Sequence, residues 1–148
     1  PALDMVYVSN EQGCSVSVLN FDPIAGTLTH RQTLTTLPAE WDGANKCSQL
    51  RMTQDGRFLY APNRGHDSIA CFTVDKANGL LTENGHVAAE PVPRAFDIDP
   101  GGHFLLSAGL ESGRLTVYRI DGNNGGLERV TTHEVGARPM WVAVLPES

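Results

Sequence analysis

Apolar residues along this chain gather in short runs rather than at helical spacing. "RFLYAPN" (57–63), "SIACFTV" (68–74) and "LTENGHV" (81–87) are of strand length and rich in β-branched and aromatic residues. "NRGHD", "DKANG" and "EPVPR" separate or follow them with turn chemistry. A fourth kind of run, "SQLRMT" (48–53), is matched by "AFDID" (95–99) and "MWVAV" (140–144). No long segment places apolar residues at a period of 3.6, so the pattern predicts four short antiparallel strands per unit.

The runs recur as a repeat. With Tyr7, Tyr60 and Leu106 as anchors, nine residues on come Val16, Ile69 and Leu115. Fifteen on come Asp22, Asp75 and Asp121, nineteen on Gly26, Gly79 and Gly125, and twenty-one on Leu28, Leu81 and Leu127. The periods are 53 and 46 residues, and the excess in the first falls in "PAEWDGANK". The Asp is expected to end the third strand by bonding its own following backbone. The Gly closes the hairpin, and the Leu starts the fourth strand and packs on the next unit. Gly56 and Gly102 supply the turn from first to second strand, where a positive φ is cheap for glycine.

Four-stranded units of roughly 40 to 50 residues are blades of a β-propeller, an all-β architecture. The expected organisation is one propeller domain with repeats near 3–53, 54–99 and 100–148. The chain begins at a second strand, "MVYVSN", and ends just after a first strand, "MWVAVL". Three blades are too few to close a ring, since propellers have about 4 to 8. The sequence therefore reads as the C-terminal part of a larger propeller, or as an arc completed by a second chain. An open arc would leave apolar blade faces and strand edges in water.

Composition narrows the partners. The net charge of −6 argues against a nucleic acid or an anionic membrane surface as the ligand. No apolar run approaches the roughly 20 residues of a membrane helix, and the first residues show no signal-peptide pattern. Cys14, Cys47 and Cys71 are odd in number and widely spaced, with no C-x-x-C. They read as free thiols in a reducing, cytoplasmic compartment. The five histidines are scattered and none pairs with another at metal-ligand spacing, so neither a metal nor a cofactor is expected.

"TQDGRFLYAPNRGHDSIACFTVD", "PRAFDIDPGGHFLLSAGLESGRLTVYRID" and the terminal "GARPMWVAV" resemble the seven-bladed propeller lactonases, the family of propeller-type bacterial 6-phosphogluconolactonases. The similarity covers nearly the whole chain and corresponds to roughly the last three blades of seven. "NRGHDSI" and "PR-x-F-x-I-D-P-x-G" are its most specific motifs, and "G-x-x-PMWV" resembles the 6-phosphogluconolactonase branch. The fungal carboxymuconate-lactonising enzymes share the fold and part of the pattern. Gln49, Arg51 and Glu111 depart from the family, which often carries an acidic residue, His and Gln there; this argues against catalytic roles for them.

The resemblance implies hydrolysis of a sugar lactone phosphate, 6-phosphogluconolactone to 6-phosphogluconate in the pentose phosphate pathway. The alternatives are a non-catalytic binding propeller and a muconate-type lactonising enzyme. Lactone opening needs water, a base and donors for the developing oxyanion. Propeller pockets lie where the loops between second and third strands meet the links between blades. Those loops are "NEQG", "NRGHD" and "GLESG"; the links are "PAEWDGANK", "EPVPR" and "GARP".

Arg64 and Arg94, both within family motifs, are expected to converge there, bind phosphate or carboxylate and serve the oxyanion; either could instead pair with an Asp to fix a loop. His66 is the candidate base, though "GHDS" is also good turn chemistry. Glu40 and Trp41 in the longest link are candidate substrate contacts, with Trp41 stacking on the sugar or covering a blade edge. Trp141 is assigned to the core. His30, His86, His103 and His133 are assigned to solvent-facing outer positions. The missing blades are expected to supply part of the pocket, so the segment alone should be inactive.

Overall fold

A computed structural model describes residues 4–146, and among them it contains twelve β-strands and no helix. The strands form three antiparallel sheets. The first contains β1 (Met5–Asn10), β2 (Ser15–Asp22) and β3 (Thr27–Thr35), in chain order. The second contains β4 (Lys46–Cys47), β5 (Arg51–Met52), β6 (Phe58–Arg64), β7 (Ser68–Val74) and β8 (Leu81–Ala88). The third contains β9 (Pro93–Ile98), β10 (Phe104–Gly109), β11 (Arg114–Ile120) and β12 (Leu127–Glu134), again in chain order.

The repeat seen in the sequence is reproduced residue for residue. Tyr7 faces Val18, Tyr60 faces Cys71 and Leu106 faces Val117 across their sheets. A register shift interrupts the next strand pair at the equivalent place in all three: at Val18/Leu19, between Ala70 and Phe72, and at Val117/Tyr118. Such bulges bend a strand and increase its twist. Gly26, Gly79 and Gly125 have φ of 66°, 73° and 75°, as hairpins built on a left-handed residue require.

Three expectations are corrected. The inner strand of the second sheet starts earlier than "SQLRMT" and is split, with β4 and β5 both pairing β6 around residues 48–50. "MWVAV" is not a paired strand, because no strand among the described residues lies beside it to supply ladder bonds; Val144 N–H instead donates to the Asp97 carboxylate at 3.1 Å. The Leu that opens the fourth strand packs on the preceding sheet rather than the next. Leu81 belongs to the cluster with Val16 and Val18, and Leu127 packs on the cluster containing Tyr60 and Ile69. Leu28, with no preceding sheet among the described residues, is 53% exposed.

The core consists of the two seams between sheets. Along β6 and β7 the side chains alternate: Leu59, Ala61, Ala70 and Phe72 enter the seam with the first sheet. Phe58, Tyr60, Ile69 and Cys71 enter the seam with the third. A strand's period of two thus serves two neighbours at once. Burial of each large side chain contributes roughly 1.5–3 kcal/mol. A recurring polar tie accompanies the packing. Tyr7 Oη donates to the Gly79 carbonyl at 2.8 Å and Tyr60 Oη to the Gly125 carbonyl at 2.9 Å, each reaching the hairpin of the following sheet.

Candidate functional site

The loops leaving β1 and β6 and the inner strands meet at one end of the arc. There, Glu11, Arg64 and Arg94 line a cleft of about 390 Å³ together with Ser48, Met140 and Trp141. The repeat explains this convergence. Glu11 and Arg64 are 53 residues apart and occupy the same position in successive sheets; Ser48, Arg94 and Met140 are 46 apart and share another. Equivalent positions around a common axis point inward together.

Arg64 is committed to protein partners. Its Nε and Nη2 donate to the Cys47 carbonyl at 3.2 and 2.7 Å, and Nη2 also donates to Glu11 Oε1 at 2.5 Å. The Cys47 N–H donates to the Glu11 carbonyl at 3.0 Å, so Cys47 holds both members of the ion pair. The Arg64 hydrogen bond and charge, with weaker help from Lys46 and Arg94, hold the Glu11 carboxyl below its ordinary pKa. Arg94 is exposed and, among the described residues, makes no side-chain hydrogen bond or ion pair, which leaves its guanidinium fork open to the cleft. The Ser9 hydroxyl, on the same lining, is buried without a partner.

Of the residues singled out from sequence, the structure brings Arg64 and Arg94 together in this cleft and does not bring His66, Glu40 or Trp41 to its lining. His66 lies beyond the tight turn after β6. Its N–H donates to Asn45 Oδ1, its Nδ1 lies 2.7 Å from Ser68 Oγ, and the Trp41 ring packs edge-on at 4.8 Å. Glu40 is exposed on the same link. Trp141, expected in the core, is 70% exposed at the cleft, because no further sheet among the described residues packs on its side. His86 is also not solvent-facing: its side chain is 12% exposed and Nε2 lies 2.8 Å from the Thr36 carbonyl.

Arg51, a departure from the family pattern, pairs with Asp97 at 3.1 Å, and both occupy the same repeat position on neighbouring inner strands. Glu11 was not legible as a functional residue from local chemistry, although its equivalence to Arg64 in the repeat could have found it.

A model of the lactonase, 7-bladed β-propeller family matches residues 1–144. The chain belongs to that family. It is 39% identical over 145 residues to a 6-phosphogluconolactonase of Pectobacterium carotovorum subsp. carotovorum, covering 98% of this chain and 44% of that protein. Against a 6-phosphogluconolactonase of Sodalis glossinidius it is 37% identical, covering 94% of this chain and 42% of that one. The chain thus spans less than half the length of these relatives. Among solved structures, the periplasmic gluconolactonase PpgL of Pseudomonas aeruginosa superposes with a TM-score of 0.85 at 32% identity, over 90% of this chain and 38% of its own.

Proposed function

We propose that the 148 residues are the C-terminal part of one seven-bladed propeller domain, and that the intact protein hydrolyses 6-phosphogluconolactone to 6-phosphogluconate. The remaining blades, from the same or a second chain, complete the pocket. The observation that carries this reading is that an open guanidinium, Arg94, and an ionised carboxylate, Glu11, line one cleft. Glu11 takes a proton from water as its oxygen attacks the lactone carbonyl, and the ring C–O bond then breaks to leave a carboxylate and a hydroxyl. Arg64 positions Glu11 and keeps it charged. Arg94 binds the substrate's phosphate, for which a planar fork is well matched.

Ser68 and Trp41 already engage the His66 ring, which favours a loop-fixing role for it over that of the base. Among the described residues no helix is long and apolar enough to cross a membrane. Three free thiols support a reducing, cytoplasmic setting.

The test is steady-state lactone hydrolysis by the intact protein, with and without the 6-phosphate on the substrate. Arg94→Ala is expected to lower kcat/KM for the phosphorylated lactone by about 10²-fold and to affect the unphosphorylated one far less. Glu11→Gln is expected to lower kcat on both by about 10²-fold. An intact protein that turns over neither lactone, or an Arg94→Ala variant with unchanged kcat/KM, would overturn the reading. So would full activity of the 148 residues alone.

A further inference from the structure

The geometry points to a redox modification site directly beneath the cleft: a reversible disulfide between Cys14 and Cys47, formed by a peroxide oxidant. The two thiols are 33 positions apart in sequence but share one polar cluster. Asn45 Nδ2 lies 3.3 Å from Cys14 Sγ and 3.1 Å from Asn63 Oδ1, and Cys47 Sγ lies 3.9 Å from that same oxygen. Thr36 Oγ1 is 2.9 Å from Cys47 Sγ, while the Thr36 N–H donates to the Cys14 carbonyl at 2.9 Å. Asn45 and Asn63, bonded to each other, thus each touch one of the two sulfurs.

The backbone at Cys14 is unusual. Its φ of 45° is shared by Asp67 (53°) and Gly113 (68°), which occupy the same repeat position. Glycine is at ease there, and Asp67 uses the conformation to accept from Gly65 N–H and Val92 N–H. Cys14 directs its sulfur at the Asn45 carbonyl, 3.3 Å away, on the link that ends in Cys47.

Burial divides the roles of the two sulfurs. Cys14 is partly exposed and meets the oxidant; Cys47 is 0% exposed and resolves the product. The Cys14 thiolate attacks one peroxide oxygen, giving a sulfenic acid and hydroxide, which takes up the thiol's proton to form water. The Cys47 sulfur then attacks the sulfenic sulfur, the S–O bond breaks, and a second water leaves with the Cys47 proton. Two thiols lose two electrons, and one hydrogen peroxide is reduced to two waters. Burial raises the Cys47 thiol pKa, which keeps this sulfur from being the first to meet the oxidant. Because the Cys47 backbone bonds both Glu11 and Arg64, the new bond closes within the residues that hold the ion pair.

The test treats the reduced, intact protein with hydrogen peroxide, alkylates it under denaturing conditions and maps its peptides without reductant. Trypsin cuts after Arg31, Lys46 and Arg51, separating the two cysteines. The expected product is a Cys14–Cys47 cross-linked pair, about 2 Da lighter than the sum of its peptides and released by dithiothreitol. Cys71 should remain alkylatable throughout. Cys47→Ser is expected to leave Cys14 as a dimedone-reactive sulfenic acid, and Cys14→Ser to leave Cys47 reduced. Wild-type protein that accumulates sulfenic or sulfinic acid at Cys14 while Cys47 stays alkylatable would overturn the proposal. A disulfide through Cys71 instead would do the same.

Discussion

At the scale of single residues, the tight turn after β6 shows how strongly one position can be constrained. Gly65 has a φ of 137°, and a Cβ there would lie 2.2 Å from the Ala44 carbonyl oxygen. The close approach lets Asn45 reach both the His66 N–H and Asn63, and so seats the long link against the Arg64 loop. Gly65→Ala is expected to lower stability by about 1–3 kcal/mol, read as a fall in Tm, because it adds backbone strain to a clash with main chain. Cys71 shows burial acting alone: inside the seam between the second and third sheets, its thiol is pushed up to about 12 and stays unreactive in the folded state.

At the scale of elements, the sheets are joined by a repeated device rather than by packing alone. Tyr60 is fully buried and its hydroxyl reaches the Gly125 hairpin; Tyr7 makes the equivalent bond from a more open position. Gly125 has to be glycine, since a Cβ would sit 2.3 Å from the Phe58 ring. Tyr60→Phe leaves a carbonyl without its donor and is expected to cost about 1–2 kcal/mol in denaturant unfolding. Tyr7→Phe should cost less, because water can reach the freed carbonyl. Leu106 holds the third equivalent position without a hydroxyl, so this tie is not repeated on the far side of the third sheet.

At the scale of the whole molecule, Glu90 links the second and third sheets electrostatically. It is 3% exposed, accepts from Arg114 Nε at 2.8 Å and is also paired with Arg129. Burial favours the neutral acid, but hydrogen bonding with Ser112 and the charges of Arg114 and Arg129 outweigh it, and the net shift is downward. Below the ordinary glutamate value of 4.5, the unfolded chain therefore binds the proton before the folded one does. The stabilisation is complete above that value and is lost as pH falls through the lowered folded one. Tm is expected to drop on acidification below about pH 4.5, and Glu90→Gln should start from a lower Tm and show a shallower acid slope. Asp55, held down to about 2 by its bond from Thr53 and by Arg57, adds a similar loss at lower pH.

The repeat offsets, the turn glycines and the strand-length runs determined the architecture in advance, because each depends on local geometry that recurs at fixed spacing. Arg64 and Arg94 were legible as cleft residues for the same reason, through the loops that carry them. What only the tertiary structure decided is which neighbours each side chain meets. It paired Arg64 with Glu11, left Arg94 open, turned His66 toward Ser68 and Trp41, and gathered Cys14 and Cys47 around Asn45 and Asn63. Such partnerships join positions from different sheets, and a side chain's charge or hydrogen-bond state depends on those partners rather than on its neighbours in sequence.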